Sequence, residues 1–415
     1  MENTLGNVPR GKWNRSTISP FVILLLVRFD MTFLRTRRTW QAYLTISYYS
    51  YLLNSLGPLT PFLREELNLS YTVASFHFSA YALGIILTSL VLNLLVQRFG
   101  ARRMVWVGVF GIAFGTLLLI AGRSPAVTVA GAFSMGLLGV MIVALLNAAL
   151  AEQHGEHRAV ALAESTMIAS LLSTLAPIAV GFFAQTDLTW RGALAIMLPA
   201  GPILWLVYRR DSLSAQPKPG ETQAANTAHE KKPPLPLAYW RFWTLALLVV
   251  AVEFCIIFWA ADYLETVSGL SKANAATGLS AFMGSMLVGR WLVSRLLMRS
   301  KEQQLLMISL AASLGGFLLF WLSPGPAGAL IGLVLAGFGV AGQFPIINAL
   351  ALSTVPDRMV EGSARITMSA GAAILFMPLL LARLADWFGL QPAYGLVLVL
   401  LIAALGLAAW RRQQG

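Results

Sequence analysis

The sequence predicts an all-α membrane protein of twelve transmembrane helices, arranged as two pseudo-symmetric six-helix bundles. Hydrophobic residues make up 57% of the chain, mean hydropathy is +0.70 and only 12% of residues are charged, which is far from the average of soluble proteins. The chain also repeats itself. Adding 201 to a residue number carries Asn147 to Asn348 and Pro177 to Pro378. Because one offset holds over separate segments, we interpret the chain as a duplicated membrane domain.

Twelve apolar segments approach the ~20 residues that a membrane helix needs, and in lipid such segments must be helical because every backbone group has to be hydrogen-bonded internally. They run approximately over Trp40–Leu63, Tyr71–Val96, Met104–Ala121, Val127–Ala151, Ala159–Ala184, Ala193–Tyr208, Phe242–Leu264, Ala273–Leu297, Leu305–Leu322, Ala327–Leu352, Met359–Leu381 and Ala393–Trp410.

The most hydrophilic stretch, Arg209–Lys232, divides the chain between the sixth and seventh segments. Its Pro, Gly, Ser, Gln and Asn residues and its charges cannot bury enough apolar surface to offset the entropy of ordering, so we expect a flexible linker. The sequence thus predicts a basic extension over 1–38, a six-helix half over 39–208, a linker over 209–238 and a second six-helix half over 239–415.

The basic extension contains one apolar run, Phe21–Val27, which is too short to cross a bilayer. Met31 leads directly into the first span and is an alternative start of the protein. Most of the 30 Lys and Arg residues lie in the extension, in the central linker, at the C-terminus or in the loops on the same side. By the positive-inside rule, both termini and the linker are predicted to be cytoplasmic, in a cell (inner) membrane.

The loop after the second span carries a recognisable motif. In the major facilitator superfamily this loop reads Gly-x-x-x-Asp-Arg-x-Gly-x-Arg-Arg, and the sequence here resembles it from Asn93 to Arg103. The glycine and the aspartate are replaced by Asn93 and Gln97, whereas the basic residues and the second glycine match, at Arg98, Gly100, Arg102 and Arg103. The resemblance implies a transporter of two six-helix halves in which this loop takes part in gating. Independently of it, Gly100 permits a tight turn and the arginines can anchor helix ends at lipid headgroups.

Charges inside the apolar segments are the strongest functional signal, because each costs about 2.5–3.5 kcal/mol at a helix centre. Four stand out: Glu164, Glu253, Arg290 and Arg365. Glu164 and Arg365 are related by the 201-residue offset. In the superfamily arrangement Glu164 faces Arg290, so the two are predicted to form an ion pair that closes the cytoplasmic side; a permanent pair with no moving role is the alternative.

Two roles are open for these charges. Desolvation of a carboxyl favours its protonated form, so Glu253 and Glu164 are candidates for proton coupling; a neutral Glu253 bonded to a neighbouring helix is the alternative. Arg290 and Arg365 are candidates for clamping a small carboxylate, since guanidinium groups bind carboxylates bidentately. This arrangement resembles the monocarboxylate branch of the superfamily.

Polar side chains within other spans complete the predicted cavity. The candidates are Tyr51, Asn54, Asn147, Asn348 and Gln343. Substrate contact and hydrogen bonding between helices are both open for the amides. His77 in the second span is expected to bond a backbone carbonyl. Pro177 with Gly181 resembles a reduced form of a drug-antiporter motif, although a helix kink repeated at Pro378 explains the proline more simply.

The remaining classes of function find no support in the sequence. There is no phosphate-binding loop for ATP, no zinc-protease or nucleophile-elbow motif and no nucleic-acid motif, and the single Cys255 excludes an intramolecular disulfide. We therefore expect no enzyme, no cofactor and no metal. The prediction is a monomeric secondary transporter in the lipid bilayer, coupled to protons, with a small organic anion as substrate. A proton-driven exporter of cationic compounds is the alternative, and a receptor on the same fold is a further one.

Overall fold

The computed structural model describes residues 34–211, 234–297 and 299–410, and all regular elements in these ranges are helical. Residues 212–233 of the predicted linker (209–238), the apolar run at 21–27 and the alternative start at Met31 lie outside the described residues. In the N-terminal half, here residues 34–211, the helices are α1 (Arg37–Asn54), α2 (Leu56–Leu67), α3 (Tyr71–Phe99), α4 (Ala101–Ala121), α5 (Pro125–His154), α6 (Arg158–Phe183), α7 (Arg191–Ala195) and α8 (Ala200–Tyr208).

The C-terminal half, here residues 234–410, has a matching series. Its helices are α9 (Leu237–Thr266), α10 (Lys272–Leu296), α11 (Glu302–Leu322), α12 (Pro326–Val340), α13 (Gln343–Ser353), α14 (Met359–Phe388), α15 (Leu390–Ala393) and α16 (Gly395–Ala409). The helix bounds repeat with the offset found in the sequence: α4 moved by 201 residues coincides with α11, and the start of α5 coincides with the start of α12. A proline opens both of the latter helices, where its missing N–H is not needed.

By length and hydropathy, nine stretches of the described chain qualify as membrane spans, and one of these, Pro125–Phe183, contains the two long helices α5 and α6. The broken helix α1–α2 and the more polar helix α10 also have the length to cross. This arrangement is compatible with twelve crossings, and the predicted all-helical membrane fold is confirmed.

Local sequence explains the helix ends. Thr36 accepts a hydrogen bond from the backbone of Thr39 in a capping box, so α1 begins at Arg37, two residues inside the predicted 1–38 extension. The first span is interrupted at Ser55, close to Gly57-Pro58. Gly100 separates α3 from α4 with φ +84°, a left-handed conformation that glycine adopts without strain. The predicted tight turn is confirmed.

The helices pack in equivalent ways in the two halves. α1 packs on α6 as α9 packs on α14, and α3 packs on α5 as α10 packs on α12. Between the halves, α3 lies against α14, α10 lies against α6, and α2 lies against α9. A candidate site between the halves is therefore bordered by α1–α2, α6, α9 and α10.

The linker face is the side on which α1 begins and α9 begins; the far face is the side on which α2 ends at Leu67 and α9 ends at Thr266. On the far face, the rings of Phe78 and Phe258 stack with centroids 3.9 Å apart across the two halves. Gly57 lies directly against the backbone of Ile257. The halves are thus tightly packed on the far face.

Candidate functional site

Glu253 and Arg290 form the centre of the candidate site. Glu253 lies midway along α9, and its Oε1 is 3.8 Å from Nη2 of Arg290 on α10. The Arg290 side chain is 40% exposed and that of Glu253 is 17% exposed, so the arginine remains accessible while the carboxylate is largely enclosed. The sequence predicted both residues as functional but found no partner for Glu253. The structure supplies one.

Arg290 also reaches across to the N-terminal half. Its Nη1 donates to Ser170 Oγ on α6 at 2.9 Å. One turn further along α6, Ser173 Oγ accepts from the amide of Asn54 at 3.0 Å. Asn54 stands where α1 ends, and its amide also donates to the carbonyl of Ser50. The site therefore has a hydroxyl and amide wall on the N-terminal half and a charged wall on the C-terminal half. Ser170 and Ser173 were missed by sequence reasoning, because serines in apolar helices most often bond their own backbone.

The predicted pair between Glu164 and Arg290 is absent from this conformation. Glu164 instead accepts two hydrogen bonds from Arg35, from Nε at 2.9 Å and from Nη2 at 2.5 Å, and one from the hydroxyl of Tyr43 at 3.1 Å. All three residues belong to the N-terminal half. The carboxylate of Glu164 raises the pKa of Arg35, which precedes α1, above its ordinary value. The sequence placed Arg35 in the basic extension and gave no signal of this contact.

Arg365 does not share a partner with Arg290. Its Nη2 lies 2.8 Å from Glu361, one turn earlier on α14, and its guanidinium lies 5.6 Å from the ring centroid of Trp240. The side chain remains 39% exposed. A two-arginine clamp is therefore not formed here, and a role of Arg365 in anion binding stays a prediction.

The predicted polar cavity residues divide into two groups. Tyr51 donates to the carbonyl of Ala193, and Gln343 donates to Ser309 and Ser313 on α11, all in buried positions. Each of these two side chains connects helices within one half, and for Gln343 this is the alternative that the sequence left open.

Asn147 and Asn348 are half-buried, and among the residues that the structure describes neither amide makes a hydrogen bond. They remain candidates for substrate contact. His77 is buried between the carbonyl of Ala74 (2.9 Å) and Thr128 (2.8 Å), as expected for a structural histidine.

The signature loop is exposed. Gln97, Arg98, Arg102 and Arg103 all lie at the surface on the linker face, and Arg98 contacts the ring of Phe99. Within the described chain none of these residues is ion-paired. The gating role of the loop is thus untested in this conformation. No group of three or more His, Cys, Asp or Glu side chains suited to a metal occurs among the described residues.

On the far face, charged residues that were not predicted from the sequence join the two halves. Arg64 at the end of α2 pairs with Asp262 near the end of α9, and Lys272 pairs with Glu65. Asp386 of α14 accepts the backbone N–H groups of Tyr71 and Thr72, which begin α3, at 2.8 and 2.9 Å. Asp262 lies inside the predicted seventh span and is 1% exposed. Its position in an apolar segment was a usable signal.

These features define a class: a multi-pass helical membrane protein whose two equivalent halves enclose a polar, charged site, as in solute transporters. The family model of the Major Facilitator Superfamily matches residues 42–364, and the chain belongs to that superfamily.

Known proteins agree on the family. The chain is 27% identical over 160 residues to an uncharacterised MFS-type transporter of Yersinia pestis, covering 38% of this chain and 41% of that protein. It is 33% identical over 138 residues to an uncharacterised MFS-type transporter of Burkholderia mallei, covering 33% of this chain and 32% of that protein. The matches thus span less than half the length of these relatives.

Solved structures agree on the fold. The crystal structure of the nucleoside transporter NupG aligns with a TM-score of 0.69 at 15% identity, covering 91% of this chain and 100% of that chain. A bacterial homologue of the human lysosomal transporter Spinster aligns with a TM-score of 0.70 at 15% identity, covering 91% and 97%. At these identities the likeness defines the fold alone.

Proposed function

We propose that this protein is a secondary active transporter that carries a small organic anion together with a proton by alternating access. The observation that supports it best is the pair of Glu253 and Arg290 between the halves, loosely spaced at 3.8 Å, with Arg290 exposed and Glu253 enclosed. Intramembrane charges are expensive and mark transport pathways. In this proposal Arg290 binds the substrate, and Glu253 binds the proton.

The coupling follows from competition for one guanidinium group. When Glu253 is ionised, its carboxylate balances the charge of Arg290, and an anion entering the site gains little. When Glu253 takes a proton, the charge of Arg290 loses its counter-charge, so a substrate carboxylate binds there and restores neutrality. Proton and anion then bind together and leave together. Ser170, already bonded to Arg290, and Asn54 are the neutral groups placed to accept or donate hydrogen bonds to the substrate.

The direction of access follows from the charge distribution. We propose that the linker face is cytoplasmic, in the inner membrane, because most Lys and Arg residues fall on that side, and that the two bundles are six-helix halves joined by the linker. In this proposal the far face, where the halves are packed, is the side that is closed to the outside. The outward-facing state would separate the far face and bring Glu164 and Arg290 together on the cytoplasmic side.

Thermal unfolding tests the substrate class directly. A ligand that binds only the folded protein raises Tm by mass action. We expect lactate or benzoate to raise Tm of the purified protein at pH 5.5 more than at pH 7.5, and Arg290→Gln to lose this shift. Arg295→Gln is the matched control, since Arg295 lies on the same helix and, among the described residues, forms no ion pair; its guanidinium lies over the Trp291 ring. If the lipophilic cation tetraphenylphosphonium stabilises the protein instead, and Glu253→Gln abolishes its effect, the cation exporter replaces this proposal.

Transport assays in proteoliposomes test the coupling. Glu253→Gln mimics the protonated state, so it should still exchange labelled anion for unlabelled anion but lose accumulation driven by a pH gradient. The exposed Glu302→Gln on α11 is the control and should keep both activities. Retention of gradient-driven accumulation by Glu253→Gln would refute the assignment of the proton site. Absence of any counterflow for anions or cations would favour a receptor.

A further inference from the structure

We propose that the N-terminal half encloses a water-binding site, separate from the central site, in which water molecules bridge α1 to α4 and α8. Four buried side chains carry the proposal: Gln41, Thr45 and Tyr48 of α1 and Trp106 of α4. Their polar atoms are shielded from solvent, and none of them has a hydrogen-bond partner among the described residues. The proposal does not depend on the substrate, because these residues lie behind α1 and not between the two halves.

The three residues of α1 share one face of the helix, which is opposite to the face that borders the central site. Positions 41, 45 and 48 are one turn apart, so their side chains line up along the helix. Two residues turn an α-helix by about 200°, so Tyr43 lies on nearly the opposite side from Gln41. There the Tyr43 hydroxyl donates to Glu164 of α6. Helix α1 is therefore hydrogen-bonded directly to α6 on its front, and its back carries three polar side chains without a partner.

Gly201 of α8 shows what the back of α1 faces. A Cβ at this glycine would lie 3.4 Å from the hydroxyl oxygen of Tyr48 and 3.3 Å from Cγ1 of Val109 on α4. Trp106 precedes Val109 by one turn and so lies on the same side of α4. Gln41 and Trp106 also lie at a similar depth, because each follows the start of its helix on the linker face by little more than one turn. The four polar side chains therefore border one groove between α1, α4 and α8, which pack on one another.

The Thr45 side chain supports this assignment. Threonine in a helix can bond the carbonyl group one turn back, as Thr60 and Thr116 do at 2.7 and 2.8 Å. Thr45 is fully buried as well, but its hydroxyl makes no such bond. The hydroxyl is therefore free to bond a partner within the groove.

Water is the ligand that fits these groups. The Trp106 indole can only donate, whereas the Gln41 amide and the two hydroxyls offer both donors and acceptors, so the ligand must accept and donate in turn. A bound cation would be opposed by the N–H donors. A bound anion would need a positive charge, and Arg37 at the linker end of the groove is already bonded to Asp211 and to the carbonyl of Val207. Buried water typically makes about three hydrogen bonds to polar groups of this kind.

The site gives α1 two kinds of attachment. Its front is bonded directly to α6, and its back is bonded to α4 and α8 through water. Bonds through water are nearly as favourable as direct ones, and a water molecule can shift its position when the helix moves. We therefore expect the back of α1 to follow small movements of the helix without losing its hydrogen bonds.

Radiolytic labelling of the full-length protein in lipid nanodiscs tests the site. X-rays split water into hydroxyl radicals, and enclosed water labels the side chains that it touches, whereas a scavenger too large to enter the protein removes radicals formed in bulk solvent. With this scavenger present we expect Tyr48 and Trp106 to be labelled. Tyr51 and Trp259 are the matched controls, since both are buried and donate directly to backbone carbonyl groups, and they should stay unlabelled. Labelling of Tyr48 and Trp106 no greater than that of these controls would overturn the proposal.

Two variants give independent answers. Gly201→Ala places a methyl group beside the Tyr48 hydroxyl, so labelling of Tyr48 should be lost while that of Trp106 remains. Gln41→Leu should lower Tm, because it removes a partner of the bound water; in a dry groove the same change would remove an unbonded polar group and leave Tm unchanged or higher. Such a Tm, or full labelling of Tyr48 in Gly201→Ala, would contradict the assignment. If Gln41→Leu does not fold, labelling of the wild type and of Gly201→Ala decides the question.

Discussion

Gly57 allows the two halves to approach each other on the far face, and adding one methyl group there should shift the protein towards a conformation in which the far face is open. An alanine Cβ at this position would lie 2.1 Å from the carbonyl oxygen of Ile257 and 3.3 Å from the Cα of Phe258, both on α9. Ordinary contacts of this kind begin at 3.4 Å, so α2 and α9 would have to separate by more than about 1 Å. The obstacle is backbone, which cannot rotate away.

The size of the effect can be worked from this overlap. Overpacking of a well-packed contact costs about 1–3 kcal/mol, and a cost confined to one of two conformations changes their ratio by about 5–150-fold. In Gly57→Ala this cost applies only to the state with a closed far face. We therefore expect the open far-face population to rise by that factor, with little change in Tm, because the contact lies between the halves and not within one.

The assay is the distance between spin labels at Asp187 and Pro324, exposed far-face loop residues of the two halves, in protein whose native thiol is removed by Cys255→Ala. Two glycines are its controls. Gly84→Ala places a Cβ 2.5 Å from the backbone nitrogen of Leu137 inside the N-terminal half, so it should lower Tm and leave the distance unchanged. Gly406→Ala has no atom within 4 Å and should change neither. An unaltered distance distribution in Gly57→Ala, at unaltered pH, would refute the idea that this contact limits opening.

Three further predictions concern single contacts. Arg35→Gln leaves the Glu164 carboxylate with one neutral donor and should lower the free energy of unfolding by about 1–3 kcal/mol, and Glu164→Gln in the same protein should recover part of it in thermal unfolding. The Cβ of Gly100→Ala has no atom within 4 Å, but the backbone requires φ +84°. We therefore expect this substitution to lower the free energy of unfolding by about 1 kcal/mol, and a β-branched residue at the same position to lower it further. Gln343→Leu removes two buried interhelical hydrogen bonds and should lower the free energy of unfolding by about 1–3 kcal/mol, while anions should still raise Tm. If anions no longer raise Tm in this variant, Gln343 contributes to substrate binding.

The fold could be predicted because membrane helices are recognisable from the sequence alone. Segments of about 20 apolar residues must be helical in lipid, and the repeat at 201 residues relates one half to the other without any knowledge of contacts. Helix ends depended on single residues such as Thr36 and Gly100, whose capping and turn chemistry is local. Only the interruption at Ser55 and the short helices near the far and linker faces needed the structure.

The residues of the site could be predicted from the sequence, but the contacts between them could not. Glu253 and Arg290 were identified because charge in an apolar segment is costly, whereas their contact depends on how α9 and α10 are rotated. Glu164 was assigned to Arg290 from the arrangement of spans, but in this conformation Arg35 binds it, from a segment that composition alone marks as a solvated tail. Asp262 was overlooked although it lies inside a predicted span, two residues before the end of that span.

The 201-residue repeat has a consequence for how such a molecule can arise. In a dimer of two identical bundles related by symmetry, equivalent positions must carry the same residue, so charges at matching depths repel each other. Here the equivalent positions have diverged to opposite signs, at Glu164 and Arg365 and again at Arg64 and Glu265. Fusion into one chain removes the requirement that equivalent positions of the two halves carry the same residue. Each half can then acquire charged residues that the other half lacks, while both keep the same helical fold.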